Sequence, residues 1–198
     1  MNIEVKFMNK KQRLRKKYLN ERSRISNTKI SIWSKKIKDK FLELSQLKTA
    51  QKIMAYASMR KEIKTFELLE ELLDQEYLLY LPYTRQETID LGAAQISNLD
   101  KDLKDGVFGV QEPVAKIRDE EVPADLDLII VPGACFTNGG YRIGYGGGYY
   151  DSFLAKHANG ALKVGFCYDC FIVDSIPVEA HDVPVDLIIT EKRIINIK

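Results

Sequence analysis

Long apolar runs are missing from this 198-residue chain, and no stretch approaches the about 20 consecutive apolar residues that a membrane-spanning helix needs. Lys6 and a basic cluster at residues 10–17 lie where a secretory signal would need its apolar segment. Cysteine, proline and glycine are scarce, with 3, 6 and 12 residues, which excludes a disulfide framework and a collagenous or low-complexity chain. We therefore expect a cytoplasmic protein with no membrane partner.

Metal-binding and thiol residues are also few, because the chain has only 2 histidines besides its 3 cysteines. Cys167 and Cys170 form a C-x-x-C pair, but a structural zinc site normally uses a second pair or two well-spaced histidines. A thioredoxin-like pair would open a helix, whereas this pair closes an apolar run. We interpret the three cysteines as reduced structural thiols.

Basic residues are concentrated at the start of the chain. Residues 1–40 hold 14 Lys or Arg against three acidic residues, a net charge of +11, whereas the whole chain carries only +2. A basic arm on an acidic body indicates nucleic acid or a small polyanionic ligand as a partner. A solvated, lysine-rich helical face is the alternative interpretation, and the composition does not decide between them.

Hydrophobic periodicity predicts helices in the first forty-odd residues, where Ser26 offers an N-cap between two of them. Apolar residues at spacings of three and four mark the second helix: Ile30, Trp33, Ile37, Phe41 and Leu44. Short apolar runs at 53–57, 77–81, 128–131, 164–167 and 187–190 predict strands, the second of them stopped by Pro82, and 66–75 reads as a helix. This alternation predicts a single α/β domain over residues 1–198 with a largely parallel sheet flanked by helices. Residues 84–123 form either an antiparallel extension or a lid.

A glycine-rich segment follows the predicted strand at 128–131. Six of the twelve glycines fall between Gly139 and Gly148, and the segment feeds a helix that begins near Tyr149. Loops at the carboxyl ends of parallel strands bind ligands, and a helix N-terminus favours phosphate. Arg142 adds a planar, charged donor. The P-loop motif does not occur, and Tyr149 stands where a dinucleotide fingerprint would need its third glycine. We predict a phosphate-binding loop, with a flexible structural turn as the alternative.

The loop and several other motifs resemble those of the 5-formyltetrahydrofolate cyclo-ligases, also called 5,10-methenyltetrahydrofolate synthetases. Residues 140–154, which read GYRIGYGGGYYDSFL, are similar to that family's motif G-x-R-[LI]-G-x-G-x-G-Y-Y-D-x-[FY]-L. Residues 11–15 (KQRLR), 58–65 (SMRKEIKT), 108–113 (FGVQEP) and 181–186 (HDVPVD) resemble four further family segments, so that the resemblance runs through nearly the whole chain.

The resemblance implies an ATP- and Mg²⁺-dependent ligase that converts 5-formyltetrahydrofolate to 5,10-methenyltetrahydrofolate and releases ADP and phosphate. It also implies a fold similar to that of ribose-5-phosphate isomerase and the CoA transferases, with small molecules as the only partners and a monomeric enzyme. Residues 9–47 would then be a basic helical arm packed on the domain, residues 1–7 an N-terminal extension, and Met8 a second candidate initiator.

The resemblance also implies a set of site residues. The ATP site would comprise Lys11, Arg15, Arg142, Ile143, Gly144, Tyr145, Gly146, Gly147, Gly148, Tyr149 and Tyr150, with Arg142 and Tyr149 as catalytic residues. The folate site would comprise Tyr56, Ala57, Glu62, Phe108, Tyr145, Gly146, Gly147, Gly148 and Tyr149, with Pro82 and Tyr83 nearby. Asp151 and Asp186 would hold the metal, although Asp186 precedes an aliphatic stretch and could lie at the opposite end of a strand.

Two rival functions and one departure stay open. The basic helices could belong to a nucleic-acid-binding module, although no RRM, KH or helix-turn-helix pattern occurs. A sugar-phosphate isomerase or CoA transferase could share the fold alone. Many members of the family carry Arg and Lys inside the glycine loop where this chain has Tyr145 and Gly147, which predicts weaker phosphate or folate-tail contacts.

Overall fold

A computed structural model of the chain describes residues 9–197, except for residues 86, 87, 89, 107, 108 and 119–121. Its centre is a seven-stranded sheet in the order β12-β11-β9-β6-β1-β2-β3. The five inner strands run parallel, and the two outer strands are antiparallel to their neighbours. These strands are β1 (Lys52–Met54), β2 (Leu78–Arg85), β3 (Asp90–Ile96), β6 (Leu128–Val131), β9 (Leu162–Phe166), β11 (Leu187–Ile189) and β12 (Ile194–Asn196).

Parallel strands are covered by helices on both faces, so their sequences read as nearly continuous aliphatic runs. All four residues of β6 and all three of β11 are buried. Helices α2 (Asn27–Leu42), α3 (Phe66–Asp74) and α5 (Tyr149–His157) pack against β11, β2 and β3. The prediction of an α/β fold with a largely parallel sheet is confirmed.

The basic arm forms two helices, as predicted. Helix α1 (Lys10–Ser23) is capped by Asn9, and Ser26 accepts a hydrogen bond from the Lys29 backbone at the start of α2. A short 3₁₀ turn at Ser45–Thr49 follows. The predicted apolar stripe of α2 faces the core, since Ile30, Ile37 and Phe41 are at most 2% exposed. Helix α2 therefore packs against the central sheet.

The prediction that Pro82 ends the second strand is wrong, because β2 continues to Arg85. Pro82 lies opposite Ala93 of β3. The Tyr80 carbonyl accepts a hydrogen bond from the Ala55 N–H, just beyond the end of β1. Backbone groups two residues apart in a strand point to the same side, so the backbone nitrogen of Pro82 also points toward β1. The strand β1 has ended before it reaches this position. The missing N–H of proline therefore interrupts no ladder hydrogen bond on that side.

The region that was hard to interpret, residues 84–123, is built from antiparallel pairs where the structure describes it. β3 returns along β2, and β4 (Leu103–Asp105) pairs with β5 (Gln111–Pro113). A four-residue helix, α4 (Leu99–Asp102), and a 3₁₀ turn at Ala115–Ile117 flank this pair. Within the described residues no helix is long and apolar enough to cross a membrane.

The glycine loop leaves the carboxyl end of β6 and enters a second, three-stranded sheet. β7 (Cys135–Thr137) pairs with β8 (Arg142–Ile143) and with β10 (Ile172–Val173), which follows a 3₁₀ turn at Asp169–Phe171. Helix α5 begins directly after the loop, at Tyr149. The predicted sequence of strand, glycine loop and helix N-terminus is confirmed.

Candidate active site

A cleft of about 550 Å³ opens beyond the carboxyl ends of the parallel strands. Tyr56 and Ala57 follow β1 into it, and Pro132 follows β6. The N-terminal part of α1 and the loop before β11 complete its walls. The described residues that were predicted for the site, with one exception, line this cleft: Lys11, Arg15, Tyr56, Ala57, Glu62, Arg142, Ile143, Gly144, Tyr145, Gly146, Gly147, Gly148, Tyr149, Tyr150 and Asp151. Pro82 and Tyr83 line it too.

Asp186 is the exception. It lies directly before β11, at the amino ends of the parallel strands, and its carboxylate is 2.7 Å from the Lys163 ammonium. The structure therefore does not bring Asp186 to the cleft, because the cleft opens at the other edge of the sheet. Phe108 lies outside the described residues.

Two glycines of the loop adopt backbone conformations that other residues rarely take. Gly146 has a φ of 113°, and Gly148, the N-cap of α5, has a φ of 70°. A Cβ atom on Gly146 would lie 3.2 Å from the Arg15 guanidinium, whose Nε donates to the Gly144 carbonyl at 2.7 Å. A Cβ on Gly147 would collide with the Tyr149 ring at 2.5 Å. A larger residue at Gly146 or Gly147 would therefore strain the loop or displace Arg15 or Tyr149.

Arg142 and Asp151 are paired with each other. The Arg142 side chain is only 2% exposed, and its Nη2 donates to Asp151 Oδ1 at 3.0 Å. Its Nη1 donates to the Val183 carbonyl at 2.9 Å, and the Val183 N–H donates to the same Asp151 oxygen at 3.2 Å. This pair joins β8 to the first turn of α5 and to the loop before β11.

Lys11 of α1 lies against two carboxylates. Its Nζ is 2.6 Å from Asp182 Oδ2 and 2.9 Å from Glu179 Oε2. Burial by itself would lower the pKa of Lys11, but the hydrogen bonds to Asp182 and Glu179 raise it on balance. Within the described part of the chain, one group of three or more His, Cys, Asp or Glu side chains is close enough together to hold a metal ion. It consists of Glu179, His181 and Asp182. His181 and Asp182 belong to the segment 181–186 that resembles a family motif, but no role was predicted for either residue.

Glu62 is a buried carboxylate in the wall of the cleft, 5% exposed. Its Oε2 accepts from the Met59 backbone at 2.8 Å, and its Oε1 accepts from the Tyr145 hydroxyl. Burial raises the pKa of the Glu62 carboxyl, although both hydrogen bonds act in the opposite direction. Thr65 holds the turn around Glu62 by donating to the Tyr56 carbonyl at 2.6 Å and accepting from the Ser58 backbone.

Arg22 was not among the predicted site residues. It lies near the end of α1, is 6% exposed, and donates to the Tyr145 hydroxyl at 2.6 Å. Its guanidinium also lies 5.5 Å from the centre of the Tyr145 ring. One signal in the sequence could have found it, because Arg22 follows Arg15 by two helical turns and therefore lies on the same face of α1.

Tyr150 has a hydroxyl group that is buried in the cleft wall. No hydrogen-bond partner for this oxygen occurs among the residues that the structure describes. Burial and the neighbouring Glu62 charge raise the pKa of this phenol. Buried polar groups in native proteins nearly always have a partner, so this hydroxyl is a candidate donor to a molecule bound in the cleft.

The cysteines lie apart from this chemistry. Cys135 and Cys167 are buried, and Cys170 is exposed in the 3₁₀ turn before β10. Burial raises the pKa of Cys135 to about 12, so its thiol stays protonated at neutral pH. No cysteine belongs to the metal-capable group found within the described ranges.

Comparisons with known proteins identify the same family that the motifs resemble. The model of the 5-formyltetrahydrofolate cyclo-ligase family matches residues 7–191. The 5-formyltetrahydrofolate cyclo-ligase of Haemophilus influenzae is 32% identical over 149 residues, covering 73% of this chain and 78% of that protein. The mitochondrial enzyme of Arabidopsis thaliana is 29% identical over 180 residues, covering 79% of this chain but 65% of the plant protein.

A solved structure supports the match of the fold. The NMR structure of the Aquifex aeolicus 5,10-methenyltetrahydrofolate synthetase is similar to this chain with a TM-score of 0.81 and 34% sequence identity. The match covers 95% of this chain and 93% of that protein.

Proposed function

The chain belongs to the 5-formyltetrahydrofolate cyclo-ligase family, and we propose that it closes 5-formyltetrahydrofolate to 5,10-methenyltetrahydrofolate at the expense of ATP. One observation carries this proposal. A single cleft brings a phosphate-suited glycine loop against a buried carboxylate from another part of the chain, with Tyr145 in contact with Glu62. An enzyme that transfers a phosphoryl group from ATP to a folate must hold both substrates side by side in this way.

The nucleotide end of the cleft is lined by Lys11 and Arg15 on one side and by the glycine loop on the other. Backbone N–H groups at the start of α5, together with the helix dipole, favour a phosphate there. Lys11 is held by Asp182 and Glu179, and would exchange these carboxylates for the ATP phosphates. Arg142 is nearly buried, so its planar guanidinium offers a fixed donor at the floor of this end.

The folate end of the cleft is formed by Glu62 with Tyr56 and Ala57. An ionised carboxylate only accepts hydrogen bonds, which suits the N–H donors of a pterin ring. Tyr56 and Ala57 line the cleft and would form a largely apolar wall for that ring. The Tyr150 hydroxyl, unpartnered among the described residues, would gain a ligand group here.

The reaction needs little covalent chemistry from the protein. The formyl oxygen attacks the γ-phosphorus of ATP, the bond from phosphorus to the β-bridging oxygen breaks, and ADP leaves. N10 then attacks the formyl carbon and loses its proton, and the carbon–oxygen bond breaks to release phosphate. Phosphorylation turns a poor leaving group into a good one, so the site acts mainly by positioning and by positive charge. We propose Arg142 and Tyr149 as the residues that contact the transferring phosphoryl group.

Magnesium fits part of the predicted ligand set. Asp151 lines the cleft with its side chain 19% exposed, and a carboxylate beside phosphates is the usual protein ligand of Mg²⁺. When bound with ATP, the ion neutralises charge on the phosphates. Asp186 does not fit, since Lys163 holds its carboxylate at the other sheet edge. We therefore propose Asp151 as the metal-linked aspartate.

A nucleic-acid-binding role is not favoured. Three basic residues of α1 contact groups at the cleft and do not face away from it. Lys11 donates to the Asp182 carboxylate, Arg15 to the Gly144 carbonyl and Arg22 to the Tyr145 hydroxyl.

We propose that the enzyme acts as a monomer on small molecules in the cytoplasm. This is a reducing compartment, which suits the three free cysteines.

A direct assay tests the proposal. The protein is mixed with MgATP and 5-formyltetrahydrofolate, and the near-ultraviolet absorbance of the methenyl product is followed. Product should form only when ATP is present, with one ADP for each product. Folate binding without ATP-dependent product would contradict the proposed reaction.

A further inference from the structure

Three side chains form a chain of hydrogen bonds from α1 to the folate end of the cleft. Arg22 donates to the Tyr145 hydroxyl at 2.6 Å, and the same hydroxyl donates to Glu62. We propose that Arg22 is a positioning residue of the folate site, which acts through Tyr145 to keep the Glu62 carboxylate ionised and oriented. The inference rests on the proposed function in one respect, the role of Glu62 in binding folate.

The need for such a residue follows from the burial of Glu62. A carboxylate that is 5% exposed has lost most of its hydration, which favours its neutral form. A protonated Glu62 would present a donor where a pterin also presents donors. A nearby positive charge and hydrogen bonds to the ionised form stabilise the carboxylate and so offset its loss of hydration.

Charged and titratable groups face Glu62 from every side. Two of them are cationic, Arg22 from α1 and Arg60 from the turn that carries Glu62 itself. The first is buried and hydrogen-bonded, whereas Arg60 is exposed. The remaining groups are phenols, which burial keeps protonated: Tyr56 after β1, Tyr145 in the glycine loop, Tyr150 in α5 and Tyr168 after β9.

Arg22 is held in place by more than its charge. Its Nη1 lies 3.4 Å from the Gly133 carbonyl, and its guanidinium packs on the Tyr145 ring. The phenol hydroxyl accepts from Arg22 and donates to Glu62, so each hydrogen bond polarises the next. The positive charge of Arg22 therefore reaches the glycine loop from α1.

The test measures the pKa of Glu62 directly in the free protein. The side-chain carboxyl signal of Glu62 is followed by ¹³C NMR against pH and is identified by its absence in Glu62→Gln. Arg22→Met should raise this pKa by about one unit or more, because a nearby positive charge is lost. Arg24→Met is the matched control, since it removes an exposed positive charge two residues further along, and it should leave the pKa unchanged. An unchanged Glu62 pKa in Arg22→Met would overturn the inference.

A double-mutant cycle tests the route through Tyr145. If Arg22 acts through the hydroxyl, Arg22→Met should have a smaller effect on the Glu62 pKa in a Tyr145→Phe background than in the wild type. Fully additive shifts would overturn this route. Should Arg22→Met fail to fold, Arg22→Gln takes its place, because it also removes the positive charge but keeps a polar side chain at this buried position. Arg22→Lys should leave the Glu62 pKa close to its wild-type value, because it keeps the positive charge.

Folate affinity gives the functional readout. The acid limb of 5-formyltetrahydrofolate binding, measured by calorimetry without ATP, should move to higher pH by the same shift as the Glu62 pKa in Arg22→Met. Affinity would then fall about tenfold per pH unit below that pKa. Failure of the wild type to bind folate would contradict the proposed function, whereas a shifted pKa with an unshifted binding limb would contradict only the role of Arg22.

Discussion

The ammonium group of Lys11 lies 2.6 Å from the Asp182 carboxylate, although 171 residues separate them in the chain. This contact ties the first helix to the loop before the last parallel strand, across the mouth of the cleft. Lys11, which we propose as a cation for the ATP phosphates, is thus paired with the carboxylates of Asp182 and Glu179. Two predictions follow from it.

Lys11→Met should weaken ATP binding because it removes the point charge that would meet the phosphates. We expect the KM for ATP to rise by about tenfold, which corresponds to about 1.4 kcal/mol. Lys16→Met, an exposed lysine of the same helix, is the control and should keep the wild-type KM. Equal KM values for ATP in the wild type and in Lys11→Met would remove this lysine from the phosphate site.

Asp182→Asn should destabilise the fold in a pH-dependent way. Burial by itself would raise the pKa of Asp182, but its hydrogen bonds with Lys11 and the Glu179 backbone lower it on balance. A carboxyl with a lowered pKa contributes stability above its unfolded pKa, near 4, and loses that contribution as the pH falls through the folded pKa. Urea denaturation should show a loss of up to about 1 kcal/mol at pH 7 that shrinks below pH 4. A difference that is constant with pH would refute the pairing.

Asp151→Asn and Asp186→Asn should separate the two aspartates for which the family resemblance implies a metal role. Asp151→Asn removes a carboxylate from the cleft, so we expect turnover to fall sharply and the Mg²⁺ requirement to rise. Asp186→Asn removes its ion pair with Lys163 at the opposite edge, so the Mg²⁺ dependence should stay at the wild-type value. The initial rate against Mg²⁺ concentration measures both.

The metal assignment would be overturned if Asp186→Asn changed the Mg²⁺ dependence of the rate and Asp151→Asn did not. Asp151→Asn also weakens a buried ion pair, and we expect it to cost about 1–3 kcal/mol of unfolding free energy. Rates must therefore be measured at a temperature where thermal denaturation shows the variant to be folded.

Glu62→Gln should weaken folate binding without affecting ATP. The substitution keeps size and shape but replaces a charged acceptor by an amide. The loss of one charge-assisted hydrogen bond costs about 1.5–3 kcal/mol, so the Kd for 5-formyltetrahydrofolate should rise about ten- to a hundredfold. ATP affinity in the absence of folate serves as the internal control. Equal losses for both ligands would indicate misfolding, and an unchanged folate Kd would remove Glu62 from the site.

Much of this architecture is local in origin and could therefore be predicted. The aliphatic strand at β6, the six glycines after it and the tyrosines that open α5 are neighbours in sequence, so their order alone places a loop at a helix N-terminus. Lys11 and Arg15 share a helix face because they are four residues apart. The helical arm and its cap at Ser26 follow from spacing and from one polar side chain.

Tertiary structure decided which of these groups meet. Pro82 could remain within β2 because β1 had already ended beside it. Asp186 lies away from the cleft because the direction of β11 in the sheet puts its start at the other edge. Arg142 faces Asp151, Lys11 faces Asp182, and Arg22 reaches Glu62 through Tyr145 because separate elements converge on one sheet edge. Local propensity fixes elements over a few residues, whereas such contacts depend on how the elements pack, and the charge state of a buried group depends on those contacts.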